Sequence, residues 1–385
     1  MYIDEINGVR MEASSVVDIF CGIGGLTHGF VKEGFNVIGG LDIDSSCRYA
    51  YEQNNRAKFI CKRIEDVGAQ EILDLYPADH IKVLVGCAPC QPFSLYKKKS
   101  GPKDEKWKLL EAFADLIVKV RPVVVSMENV PELLKFNKGR VYANFVKCLI
   151  AAGYIVTRHL VYCPDYGIPQ KRLRLVVFAS QFGSIDLIKK THTPEQYRTV
   201  RHAIEGLPPL EASANSKDDP LHKTTGLSQL NLKRIRQSRP GGSWKDWDDD
   251  LRTACHKRES GTHYKSVYGR MSWDEPAPTL TTECYAYGSG RFGHPDQDRA
   301  ISLREAALLQ TFPPDYTFAD PKDVLYFKRV GRHIGNAVPV ELGRVIAKSI
   351  GRHLEEYHEH YPRRESIQDV HQLECPQPSR DRSVQ

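Results

Sequence analysis

Cys90 stands between Pro89 and Pro92 in the run Gly86-Cys87-Ala88-Pro89-Cys90-Gln91-Pro92-Phe93-Ser94, directly after the apolar run Lys82 to Cys87. The prolines fix the backbone on either side, so the thiol is presented at the carboxyl end of a strand, where open α/β sheets bind their ligands. An ionised thiol held there is a nucleophile. A lone cysteine is more often a small buried hydrophobe. Cys87 and Cys90 have the spacing of half a zinc site, but there is no second such pair and the other cysteines lie singly. A zinc deaminase requires Pro-Cys-x-x-Cys, and position 93 is Phe93. No metal site is expected.

Other polar groups also fall at the ends of strand-like runs. Val16 to Phe20 leads into Cys21-Gly22-Ile23-Gly24-Gly25, a sharp turn where a ligand can approach the backbone. A dinucleotide fingerprint needs glycine where Thr27 stands, and a P-loop over Gly24 and Gly29 needs lysine where Phe30 stands. Asp42, at the end of the run Asn36 to Leu41, is placed to accept hydrogen bonds from ribose hydroxyls, so an adenosyl ligand fits; a purely structural turn fits too. Glu128 follows Val123 to Met127, and Arg172 and Arg174 stand at the entry to Arg174 to Phe178. Taken singly, the first reads equally as a helix-capping carboxylate and the arginines as a solvated strand end.

The elements that must position these groups are short apolar or β-branched runs: Val16 to Phe20, Asn36 to Leu41, Lys82 to Cys87, Val123 to Met127, Tyr154 to Tyr162 and Arg174 to Phe178. Helix-length stretches such as Lys108 to Val120 separate most of them. That alternation predicts an α/β fold, a mainly parallel sheet with helices on both faces. From about 183 to 269 it gives way to Pro, Gly, Ser and charged clusters, among them Pro208-Pro209, Gly241-Gly242 and Asp248-Asp249-Asp250. Helical periodicity returns at Leu303 to Gln310 and at Pro339 to Leu354. The expected organisation is an α/β part over 1–182, a smaller irregular domain and a following motif over 183–300, a return segment over 301–352 and a loose tail over 353–385.

Composition sets the outer bounds. Hydrophobic residues make up 41% and charged residues 26% of the 385, which excludes a mainly disordered, collagen-like or coiled-coil chain. The length suits two domains or one large domain with an insertion. The apolar run Leu116 to Val125 is interrupted by Lys119 and Arg121, so no span is long enough to cross a bilayer. Residues 1–15 carry Asp4, Glu5 and Glu12 and no apolar block ahead of a cleavage site, unlike a secretory signal. A cytoplasmic address with reduced cysteines is the expectation. A net charge of +6 is compatible with a polyanionic partner without demanding one.

In order along the chain stand Asp18-Ile19-Phe20-Cys21-Gly22-Ile23-Gly24-Gly25, Pro89-Cys90-Gln91, Glu128-Asn129-Val130, Gln170-Lys171-Arg172-Leu173-Arg174, Pro276-Ala277-Pro278-Thr279-Leu280-Thr281-Thr282 and Gly335-Asn336-Ala337-Val338-Pro339. Together, over residues 16 to about 350, these motifs resemble those of the DNA (cytosine-5)-methyltransferases of the bacterial restriction-modification type. The resemblance implies a Rossmann-like S-adenosylmethionine-dependent sheet plus a target-recognition domain, and methylation of carbon 5 of cytosine within a short duplex DNA sequence. It makes Cys90 the nucleophile that adds to carbon 6 of a flipped base. Glu128 then holds or delivers a proton at nitrogen 3, and Arg172 and Arg174 hold the base's carbonyl and neighbouring groups.

The implied cofactor is S-adenosylmethionine. Phe20 would stack on its adenine, the backbone of Gly22, Gly24 and Gly25 would approach its methionine part, and Asp42 would take the ribose. Ile43, Ile64, Pro89 and Asn336 would complete the pocket. Two positions depart from the family. Arg63-Ile64 stands where an acidic residue often holds the adenine amino group, and Lys106 stands where many members carry arginine. The implied partner is double-stranded DNA, touched by Gln91, Ser94, Lys97, Lys98 and Lys99 in the loop after the nucleophile and by Arg234, Arg236 and Arg239 in the recognition segment. Trp244 and Trp247 lie beside those arginines as DNA-facing aromatics or as a small core. A monomer in the bacterial nucleoid, with any cognate restriction endonuclease acting separately, completes the expectation. Two alternatives stand beside this reading. A tRNA-modifying relative would carry a Cys-Phe-Thr signature in the middle segment, which is absent. An inactive DNA-binding relative would lack Cys90, Glu128 or the glycine loop, all of which are present.

Overall fold

The computed structural model describes residues 14–89, 107–261 and 267–360. Cys90, Gln91, Ser94, Lys97, Lys98, Lys99 and Lys106 lie outside the described residues, as do 1–13, 262–266 and 361–385.

Seven strands form one sheet: β1 (Ser14–Ile19), β2 (Asn36–Asp42), β3 (Lys58–Cys61), β4 (Ile81–Gly86), β5 (Val124–Asn129), β6 (Ile155–Tyr162) and, after the short β7 (Gln170–Lys171), β8 (Leu173–Ser180). The order is β3-β2-β1-β4-β5-β8-β6. The first five run parallel, and β8 is antiparallel to both β5 and β6. β7 pairs in parallel with β9 (Ala277–Pro278), tying the start of the arginine motif to the segment that follows the middle region. All six runs read from the sequence are strands, with no end moved by more than two residues. β3 gives no strand signal in the sequence because it has four residues and only Phe59 and Ile60 are buried.

Alternate residues of β1 feed two cores. Val16 packs with α1 (Gly25–Lys32) on one face, and Val17 and Ile19 pack on the other. Around the sheet follow α2 (Arg48–Asn55), α3 (Ala69–Leu73), α4 (Lys108–Val120) and α5 (Arg140–Ala151). In α4, Leu110, Phe113, Ala114, Ile117 and Val120 recur at helical spacing and are all buried. Arg121, in the left-handed conformation, and then Pro122 end that helix.

The middle region contributes α6 (Val200–Ile204) and α7 (Gln229–Gln237) and has a small core of its own, built from Ile235, Trp244, Trp247, Leu251, Tyr287 and Ala300. The chain then returns to the sheet through α8 (Leu303–Leu309), α9 (Phe327–Asn336) and α10 (Val340–His360), the last packed on α1. The reading of 353–385 as a loose tail needs correction for its first turns. α10 continues to His360, Leu354 is buried, and the His353 ring shares a 2.8 Å hydrogen bond with the Ser180 hydroxyl. No helix among the described residues is long and apolar enough to cross a membrane.

Candidate active site

The chain builds outward from β1 in both directions, so the point where the strand order reverses lies between β1 and β4. At the carboxyl ends of β1, β2 and β4 opens a cavity of about 460 Å³. Phe20, Gly22, Gly25, Asp42, Ile43 and Ile64 line it from the first strands, Pro89 from the end of β4, and Asn336 from the end of α9.

Phe20 turns the chain out of β1 with φ at +64°, a conformation in which a bulky residue is rare. The turn leaves the Phe20 ring on the cavity wall, edge-on to Phe113 at 6.1 Å. Gly24 does not face the cavity. A Cβ there would lie 2.5 Å from the Asn55 side-chain nitrogen, so this glycine seats the start of α1 against α2. Gly25 lies on the wall and also abuts the return segment: a Cβ would meet the Val338 carbonyl at 2.2 Å.

Asp42 accepts hydrogen bonds from the Gly22 and Asp44 amides, both at 2.9 Å, one to each oxygen. Burial pushes its carboxyl above the usual range. Deeper lies Asp18, where burial pushes the carboxyl up to about 7. The Thr27 hydroxyl donates to one Asp18 oxygen at 2.7 Å, and the other oxygen has no partner among the described residues. On the opposite lip, the His333 ring meets the Asp44 carboxylate at 3.1 Å, joining α9 to the loop after β2. Burial would raise Asp44, but hydrogen bonds from Ser46 and His333 outweigh it and hold the carboxyl low. Arg63 pairs with Glu65 at 2.9 Å, which places a carboxylate at the cavity lip beside Ile64 despite the arginine.

Glu128 is 1% exposed at the end of β5. Its Oε1 lies 2.9 Å from Arg174 Nε, but off the line of a hydrogen bond, so both atoms keep unmet capacity among the described residues. Arg174 is further held by donation to the Leu173 carbonyl at 2.8 Å. Arg172 is buried and reaches Gln170 Oε1 and the Leu280 and Ala337 carbonyls, each at 3.4 Å. Behind it, Gln170 Nε2 donates to Gln310 Oε1 at 2.8 Å, and Gln310 Nε2 donates to the Ile334 and Ala337 carbonyls. Asn129 donates to the Ala88 carbonyl at 3.1 Å, fixing the exit of β4 against β5.

This arrangement sets a buried carboxyl and two arginines beside a cavity walled by an aromatic ring and carboxyl groups, and the comparison with known proteins decides its kind. The C-5 cytosine-specific DNA methylase family matches residues 14–352. The chain belongs to that family. Type II methylase M.HgiDII of Herpetosiphon aurantiacus is 57% identical over 345 residues, covering 90% of this chain and 97% of the relative. Type II methyltransferase M.Sau96I of Staphylococcus aureus is 29% identical over 359 residues, covering 92% and 80%. A solved structure described as a DNA modification methyltransferase encoded within an E. coli prophage shares the fold at a TM-score of 0.68 and 21% identity, covering 89% of this chain and 99% of that one.

In this cytosine-5 DNA methylase the middle region departs from the expected DNA contacts at one residue. Arg234 was expected on the DNA but is buried. It donates to the Leu251 carbonyl and lies 5.2 Å over Trp247 and 5.7 Å over Tyr268. Trp244 and Trp247 are core residues too. Arg236 and Arg239 are exposed and pair with Asp298 and Asp246. Local sequence gives no role to Gln310 or His333, and the motif alone gives none to Asp18. Asp18 was visible within the first motif, whereas the partners of Gln310 and His333 lie 140 and 289 residues away.

Proposed function

We propose that this methylase modifies carbon 5 of cytosine within one short double-stranded DNA sequence, using S-adenosylmethionine and a covalent adduct of Cys90 with a flipped base. The observation that carries the reading is Glu128, buried beside Arg174 with Oε1 and Nε both open to a further partner, next to the strand end that leads into Pro89-Cys90.

The cavity suits the cofactor. Asp18 offers a buried, unpartnered oxygen for a cationic group, Asp42 keeps a lone pair on each oxygen for ribose hydroxyls, and Phe20 supplies an aromatic wall. Once bound, S-adenosylmethionine supplies an electrophilic methyl on a sulfonium centre. The rest falls to the chain's own groups. Cys90 thiolate adds to carbon 6 of cytosine, and Glu128 gives nitrogen 3 the proton that neutralises the charge pushed into the ring. Carbon 5, now part of an enamine, takes the methyl. Loss of the carbon 5 proton to solvent restores the ring double bond as Cys90 leaves as thiolate, and nitrogen 3 returns its proton to Glu128. Arg174 and Arg172 hold the base's carbonyl side.

Sequence choice is assigned to residues of about 183 to 269, with Arg236 and Arg239 on its exposed face, and any cognate restriction endonuclease acts separately. Bisulfite sequencing of DNA from a methylation-free host expressing the chain tests the reading. It predicts protected cytosines confined to one short motif; full conversion, or protection scattered without a motif, contradicts it.

A further inference from the structure

We infer that Cys87 is a positioning residue for the carboxyl of Glu128, an inference that rests on the function proposed above. Gly86 of β4 registers with Met127 of β5 in a parallel pair, so the next residues, Cys87 and Glu128, project on the same face. The Cys87 thiol donates to Glu128 Oε2 at 2.7 Å, while Arg174 faces Oε1. The backbone carrying the thiol is fixed on both sides. The Cys87 amide donates to the Ile19 carbonyl at 3.2 Å, and the Ala88 carbonyl accepts from Asn129 at 3.1 Å.

Cys87 also lines the cofactor cavity, so one side chain touches both the cavity and the carboxyl. The groups around Glu128 come from three more elements: Arg174 on β8, Arg172 just before it, and the buried Cys163 after β6, on which Glu128 and both arginines act electrostatically. The described contacts thus set the thiol at one carboxyl oxygen and Arg174 at the other.

The choice of sulfur has a chemical consequence. A thiol is a weak donor, so it holds the carboxyl in place and gives it up readily when a base arrives. A hydroxyl at the same place binds a carboxylate more strongly and favours its ionised form. Alanine offers no donor and lets the carboxyl turn.

Cys87→Ala and Cys87→Ser are compared with wild type and with Glu128→Gln by initial rates against pH, with separate kcat and KM for DNA and S-adenosylmethionine. Cys87→Ala is expected to lower kcat about tenfold with both KM values within about twofold. Cys87→Ser is expected to recover most of that loss at the acid end of the profile, and its alkaline limb is expected to move to lower pH as the ionised carboxyl is favoured. Unchanged profiles and rates in both variants, or a defect confined to the KM for S-adenosylmethionine, overturn the inference. Should Cys87→Ala melt early, Cys87→Ser carries the test alone, because a displaced alkaline limb is not a stability effect. Glu128→Gln separates the two readings. If it keeps full turnover, the role proposed for Glu128 has failed; if it is inactive while both Cys87 variants behave as wild type, only the role of Cys87 has failed.

Discussion

Glu128 on β5 and Arg174 on β8 are diagonal neighbours across an antiparallel pair, because Glu128 registers with Val176 and Arg174 lies two residues along the same face. The sheet therefore delivers carboxylate and guanidinium to one point, Oε1 to Nε at 2.9 Å, without help from any loop.

Glu128→Gln keeps the shape of the side chain and removes the ionisable proton. Turnover is expected to fall by about 10² to 10⁴ with DNA binding and melting temperature nearly unchanged. Tritium transfer from labelled cofactor, beside a gel-shift titration, separates the two quantities. Loss of binding in step with turnover would make Glu128 a binding group instead.

Asp18 makes the free protein pH-dependent. With its carboxyl raised from 3.8 to about 7, the folded state binds more protons than the unfolded state between those values. Its contribution to stability is therefore greatest below that window and is lost as pH rises through it, by on the order of 4 kcal/mol. Asp18→Asn is expected to flatten that slope, as read from urea melts between pH 5 and 8. A cationic ligand beside Asp18 favours its ionised form, so binding of S-adenosylmethionine is expected to release protons and tighten toward pH 7. Calorimetry in buffers of different ionisation enthalpy measures that release, and Asp18→Asn is expected to abolish its Asp18-dependent part.

The buried and exposed arginines of the middle region are expected to part company. Arg234→Ala removes a guanidinium from the faces of Trp247 and Tyr268 and leaves the Leu251 carbonyl without its donor, at a cost of about 2 to 4 kcal/mol. Arg236→Ala and Arg239→Ala leave the melting temperature unchanged and reduce the salt dependence of DNA binding by about one counterion each. Thermal melts and salt titrations of the three variants give the comparison.

Six of the seven sheet strands were legible because each is an apolar or β-branched run, even the largely uncovered β6, and the groups at their ends were legible because motif and strand end are contiguous. α9 was not, since only Val330, Gly331, His333, Ile334 and Gly335 of its ten residues are buried and its outer face is polar and basic. Gln170 with Gln310, and Asp44 with His333, join distant parts of the chain, so no local spacing announces them. Arg234 misled because a charged residue in a basic cluster looks solvated, and only tertiary packing of two aromatic rings against it makes it core. Gly24 and Gly25 share one motif but serve different neighbours, a division that follows from where α2 and the return segment pack.

The central claim is the covalent adduct at Cys90, and a duplex carrying 5-fluorocytosine at the methylated position tests it most directly, because fluorine cannot leave in the elimination that frees the thiol. With S-adenosylmethionine present, the account predicts a protein–DNA complex that survives denaturing electrophoresis and whose cross-linked peptide contains Cys90, absent for Cys90→Ser. No stable complex from an enzyme that methylates the unmodified site, or a cross-link mapped to Cys87, contradicts it.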